Sequence, residues 1–368
     1  MSQTDLRYEQ SLLKIDYAQK GLLRLNLNEN LVFPQNVMRS ILAKCTDEYD
    51  PRFYPSAIGE LEVNELSNEI GKYCACSSKS VAVGVGSDQL IDLLFRRTLK
   101  RKSDTIVSFD PTFSMYAIFA HRQGSPLFEV TLNSSTSKEP FSLPIREVKQ
   151  ALSRKNSRLL CLVSPNNPTG LQYSVETVAD LLESFPDKTI LLDEAYVEYA
   201  RYDGAKLLMK NHANLVVMRT FSKAFGLASL RLGYLLSSDT ELIQDLNDNY
   251  QYPYPVAGLS ISMGIEMLKR KALVLEWAQK TKKFREELIA SLQKLGQTVR
   301  AITRSDTNFV LVQSKNSRKI AEELLIRFGI AVKYLPRMGK EKEFLRMTVG
   351  SQEINQKLLF ALRRVITN

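Results

Sequence analysis

The stretch Leu159-Leu160-Cys161-Leu162-Val163-Ser164-Pro165-Asn166-Asn167-Pro168-Thr169-Gly170 decides the fold. Five apolar residues run without interruption and then break into a turn rich in Pro, Asn and Gly. An alternating pattern marks a strand with one wet face, whereas an unbroken run marks a strand that meets no water on either side. The same pattern recurs outward in both directions. Downstream lie 189–192, closed by Asp193-Glu194-Ala195-Tyr196, then 215–218, closed by Thr220-Phe221-Ser222-Lys223-Ala224-Phe225-Gly226, then 233–236. Upstream lie 127–132, 105–109 and 81–83, with helical patterns between most of the runs. The reading is an α/β fold: a large domain with a mostly parallel central sheet sandwiched by helices.

Past Pro253 and Pro255 the pattern changes. A long helical stretch (259–295) precedes a strand-like run at 308–312, a helix near 320–328, a strand through 344–349 and a closing helix from Gln352. This is read as a smaller α+β domain. The first 30 or so residues contain no strand run and are read as an arm packed against it. The expected division is an arm (1–45), a large domain (46–255), and a connecting long helix with the small domain (256–368).

Composition narrows the classes. With 44% hydrophobic and 24% charged residues, the chain of 368 residues matches ordinary folded proteins and excludes disorder or a fibrous repeat. The formal charge of +10 is spread along the chain, which points to a solvated surface rather than a nucleic-acid partner. No apolar stretch is long enough to cross a bilayer, the opening residues lack the apolar core of a secretory signal, and four cysteines are too few for a disulfide scaffold. A cytoplasmic protein is expected. Cys74-Ala75-Cys76 has no second pair, and His121 and His212 lie far away in sequence, so no metal site is expected.

Val81-Ala82-Val83-Gly84-Val85-Gly86-Ser87-Asp88 reads as a strand, a glycine turn and a helix capped by Ser87 or Asp88, with an apolar stripe at Leu90, Ile91, Leu94 and Phe95. Such a helix start offers free N–H groups to a phosphate. A dinucleotide fingerprint needs a third glycine where Gln89 stands, and no P-loop sequence occurs. This turn alone is common in α/β proteins. Three further segments, at 164–170, 193–196 and 220–226 leading to Arg231, lie at the C-terminal ends of predicted strands, where open α/β sheets hold their ligands.

With these segments in this order, the chain resembles the fold type I enzymes that use pyridoxal 5'-phosphate, and within them the class I and II aminotransferases. The resemblance runs from Leu25-Asn26-Leu27-Asn28-Glu29-Asn30 to Leu345-Arg346-Met347-Thr348-Val349-Gly350 and is strongest to the histidinol-phosphate aminotransferase family. It implies an aspartate aminotransferase-like fold and a transaminase that passes an amino group from histidinol phosphate to 2-oxoglutarate in histidine biosynthesis. An aromatic or broad-specificity aminotransferase and a phosphothreonine decarboxylase are the alternatives on the same scaffold.

The resemblance also assigns roles. Lys223 would carry the cofactor, and a deprotonated amine in a cationic, partly desolvated pocket suits that task. Asp193 would face the ring nitrogen and keep it protonated. Tyr196 and Asn167 would hydrogen-bond the ring's phenolic oxygen, and Phe113 would stack on the ring. Ser87, Asp88, Thr220, Ser222 and Arg231 would form the phosphate cup, joined by Tyr54 from the partner of a homodimer. Arg346, with Asn28 and Glu29, would lie at the substrate end. At Lys333, thirteen positions before Arg346, the family generally carries a second arginine; lysine keeps the charge and loses the planar fork.

Overall fold

The structure, a computed structural model, describes residues 15, 20–47, 49–296, 299–302 and 304–366. Residues 1–14 and 16–19 of the expected arm lie outside that set. Two sheets organise the described residues. The strands are β1 (Leu23–Leu25), β2 (Val81–Val85), β3 (Thr105–Asp110), β4 (Leu127–Thr131), β5 (Ser157–Val163), β6 (Thr189–Asp193), β7 (Leu215–Thr220), β8 (Leu232–Leu236), β9 (Arg300–Ala301), β10 (Phe309–Gln313), β11 (Ile330–Met338) and β12 (Glu341–Thr348).

The large sheet runs β2-β8-β7-β6-β5-β3-β4. Neighbours from β4 to β7 pair in parallel, while β8 lies antiparallel to both β7 and β2. β2, β3, β5, β6 and β7 therefore all end on the same edge. Successive side chains of a strand point to opposite faces. On β5, Leu160 and Leu162 enter one core while Leu159, Cys161 and Val163 enter the other. Helices Leu61–Cys74, Val175–Ser184 and Gly258–Lys269 cover the first face, and Gly86–Thr98 with Met115–Gln123 the second. Both faces are dry, which is why the sequence shows unbroken runs instead of alternation.

The small sheet runs β1-β11-β12-β10-β9 over a separate core backed by helices Ser317–Phe328 and Gln352–Ile366. The long helix Lys271–Gln293 ties the two together: Val274 and Ala278 pack in the large core, Leu288 and Leu292 in the small one. Helix Gln35–Asp47 packs on the large core through Ile41 and Cys45.

Four sequence expectations differ from this structure. The arm does supply a strand, β1, whose three residues pair in parallel with 330–332; so short a strand leaves no periodic signal. β11 carries no clear strand signal because Lys333, Pro336 and Arg337 interrupt its apolar pattern. The helical stretch 259–295 is two helices, broken at Arg270, whose ψ of 25° is not helical. The helix after β2 begins at Gly86, so Ser87 and Asp88 lie in its first turn and do not cap it. Gln89 Oε1 instead accepts the Val85 N–H at 2.7 Å.

Candidate active site

Strand ends place the site. β5, β6 and β7 stop at Val163, Asp193 and Thr220 on one edge of the large sheet, and all three residues line a cavity of about 530 Å³. Its opposite wall is the small domain, through Lys333 on β11 and Arg346 on β12, closed by the segment Asn26–Asn28. Asn28 holds this segment in place from a left-handed conformation (φ 56°), its N–H donating to Thr348 Oγ1 at 3.0 Å. Asn30 Nδ2 donates to the Ala224 carbonyl at 2.8 Å, beside Lys223.

Lys223 follows the end of β7, and its Nζ donates to the Leu27 carbonyl at 3.1 Å. Burial pushes this amine down to about 8; the Arg346 charge adds to the shift, while Glu29 and Asp193 oppose it. Asp193 is buried across the same cavity. Its Oδ2 accepts from Tyr116 Oη at 2.7 Å and its Oδ1 from the Ala195 N–H at 3.0 Å. Burial lifts its carboxyl to about 6 against the pull of those two donors. Tyr196 Oη accepts from Asn28 Nδ2 at 2.9 Å, which leaves its own O–H to donate.

A polar cradle lies at the start of helix Gly86–Thr98, where first-turn N–H groups have no helical acceptor. Gly233 makes it possible: a Cβ there would meet Gly86 C and Ser87 N at 2.9 Å, so only glycine lets β8 approach the turn this closely. Thr220 Oγ1 accepts the Ser222 N–H at 3.1 Å, and Arg231 Nη1 donates to Ser222 Oγ at 3.4 Å while Nη2 reaches Asp88 at 3.3 Å.

The second cluster is cationic. Lys333 and Arg346 are cross-strand partners in the β11–β12 register. Arg346 is buried; it donates to Asn167 Oδ1 and to the Asn26 carbonyl at 2.7 Å, its Nε has no partner, and among the described residues no carboxylate pairs with it. A buried guanidinium without a counter-ion is costly unless a ligand supplies the negative charge.

Of the residues singled out from sequence, Lys223, Asp193, Tyr196, Asn167, Phe113, Ser87, Asp88, Thr220, Ser222, Arg231, Arg346, Lys333 and Asn28 all line this one cavity. Two do not. Glu29 turns to pair with Arg24. Tyr54 is 86% exposed and packs on Tyr254 with ring centroids 5.3 Å apart. Sequence reasoning missed Asn26 and Tyr116, whose partners are far away in the chain.

These groups fit pyridoxal phosphate: a helix start, hydroxyls and a guanidinium to donate to the phosphate, a carboxylate to accept from a ring N–H, a tyrosine O–H for the phenolic oxygen, and an amine for the aldehyde. The profile of the family described as Aminotransferase class I and II matches residues 20–362. Histidinol-phosphate aminotransferase 1 of Legionella pneumophila (strain Lens) is 34% identical over 86% of this chain and 84% of its own length. The corresponding enzyme of Carboxydothermus hydrogenoformans is 33% identical over 94% and 93%. The crystal structure of histidinol-phosphate aminotransferase from Sinorhizobium meliloti in complex with pyridoxal 5'-phosphate superposes with a TM-score of 0.84 at 22% identity, covering 98% of this chain and 96% of that one.

Proposed function

Because the chain belongs to the class I and II aminotransferases, we propose that it transfers the amino group of histidinol phosphate to 2-oxoglutarate, giving imidazole acetol phosphate and glutamate. It is a transaminase that uses pyridoxal 5'-phosphate. When bound, that cofactor supplies an electron sink that lets the donor's Cα–H bond break as a proton.

The residues divide the work. Lys223 would hold the cofactor's aldehyde, and its amine would be the base that moves the donor's Cα proton. An amine near pH 8 is partly neutral under ordinary conditions and so able to act. Asp193 would keep the ring nitrogen protonated, and Tyr196 and Asn167 would hydrogen-bond the phenolic oxygen. Phe113 would stack on the ring, and Ser87, Asp88, Thr220, Ser222 and Arg231 would hold the phosphate.

The observation that carries the donor assignment is the buried Arg346, beside Lys333 and without a carboxylate partner among the described residues. Two adjacent cations suit the phosphate of histidinol phosphate, and the same guanidinium suits a carboxylate of 2-oxoglutarate in the second half of the cycle. Asn28 would close the substrate end, where Glu29 pairs with Arg24.

We further propose a cytoplasmic homodimer in histidine biosynthesis. Phe53, Tyr54, Tyr252 and Tyr254 form an exposed aromatic patch, and the Ile58 N–H donates to the Pro253 carbonyl to join its two segments. Such a patch favours a second copy, with Tyr54 of the partner subunit reaching the cofactor phosphate. No helix among the described residues is long and apolar enough to cross a membrane.

The test is a titration of the cofactor-loaded protein with histidinol phosphate, phenylalanine or phosphothreonine, following the visible band. Histidinol phosphate should bleach it at the lowest concentration. Bleaching by phenylalanine but not by histidinol phosphate would overturn the donor, and carbon dioxide release from phosphothreonine would favour the decarboxylase.

A further inference from the structure

Resting on the reading that Asp193 meets the cofactor's ring nitrogen, we infer that Tyr116 is a positioning residue that fixes both the aim of the Asp193 carboxylate and the tilt of the Phe113 ring. Tyr116 lies on helix Met115–Gln123 and is 1% exposed, yet it forms part of the cavity wall. Its hydroxyl donates to Asp193 Oδ2 at 2.7 Å across 77 residues of sequence. Its ring meets Phe113 edge-on, with centroids 5.8 Å apart and planes at 89°, and Phe95 stacks on it at 6.4 Å. One side chain therefore touches both groups that hold the cofactor ring, the carboxylate at its nitrogen and the aromatic on its face.

The chemistry is directional. Burial and the nearby Asp193 charge push the Tyr116 phenol well above its ordinary range, so it stays protonated and can only donate to the carboxylate. With the Ala195 N–H on Oδ1, each carboxylate oxygen has one fixed donor, which sets the rotation of the group. Remaining lone pairs are left for a ring N–H. A hydrogen bond to a charged acceptor also stabilises the ionised form that burial disfavours. Without the hydroxyl, Asp193 would titrate higher and be freer to turn, and its grip on the ring nitrogen would weaken.

Tyr116→Phe keeps the ring and its packing and removes only the hydroxyl. The experiment compares dissociation constants of the apo protein, wild type and Tyr116→Phe, for pyridoxal phosphate and for its 1-deaza analogue, in which C–H replaces the ring nitrogen. Circular dichroism and the thermal midpoint monitor the fold. Wild type is expected to favour pyridoxal phosphate over the analogue, and Tyr116→Phe to lose about tenfold or more in affinity for pyridoxal phosphate while holding the analogue unchanged. An equal loss for both ligands, or a wild-type preference kept in full by Tyr116→Phe, overturns the inference alone. A wild-type protein that binds both ligands equally overturns the Asp193 reading and the inference with it.

Discussion

Lys333 and Arg346 face each other across β11 and β12, but they answer pH differently. Burial, reinforced by the Arg346 charge, pushes the Lys333 amine down to about 8. A bound anion favours the charged amine, so donor affinity is complete below that value and declines as pH rises through it. The Michaelis constant for histidinol phosphate should therefore rise by up to about tenfold per unit above pH 8. In Lys333→Arg the guanidinium stays charged, and this component of the rise should vanish. Parallel profiles for wild type and variant would remove Lys333 from the substrate end. Residue identity made Lys223, Asp193 and Arg346 legible, because each stands in a local segment whose neighbours mark it. Tyr116 was not legible in that way. It is one of fifteen tyrosines, and nothing near it in sequence says that folding will bring its hydroxyl to Asp193.

Between elements, a buried ion-pair network lies next to Asp193 in sequence, through Glu194. Asp193 and Glu194 point to opposite faces of the sheet edge, as do Thr220 and Arg219. Arg219 donates to Glu194 Oε2 through Nε at 3.0 Å and Nη2 at 2.6 Å, and also pairs with Asp203, while Glu194 Oε1 accepts the Gly204 N–H at 2.6 Å. Arg219 and Glu194 are 1% and 2% exposed, so removing one partner strands a charge. Arg219→Met should cost about 3–5 kcal/mol in denaturant unfolding, and adding Glu194→Gln should restore much of it. A loss below about 1 kcal/mol would show that the brace carries little. Legibility at this scale followed burial. Strands dry on both faces announced themselves, whereas β11 holds Pro336 where β1 no longer pairs with it, since that pairing ends at Val332. The strand is real because β12 supplies its hydrogen bonds, a partner that its own residues do not reveal.

At the scale of the whole molecule, two sheets and a connecting helix make one wall of the cavity from each domain, and the exposed aromatic patch leaves Tyr54 outside its own site. If Tyr54 of the partner subunit completes the phosphate cup, two dead variants should complement each other. Lys223→Ala and Tyr54→Ala, unfolded together and refolded as a mixture, should recover about a quarter of wild-type activity, since half the dimers then hold one intact site. No recovery, with dimers confirmed by sedimentation, would place Tyr54 outside the chemistry. Sequence could not indicate this patch, because exposure of Phe53 and Tyr54 is a property of the folded surface. All of these expectations presuppose one bond. Reducing the cofactor-loaded protein with borohydride, digesting it and mapping the modified peptide by mass spectrometry reads that bond directly. The pyridoxyl group is expected on Lys223 alone, with Lys223→Ala unlabelled; a label on any other lysine, or none on a protein saturated with cofactor, would contradict the account.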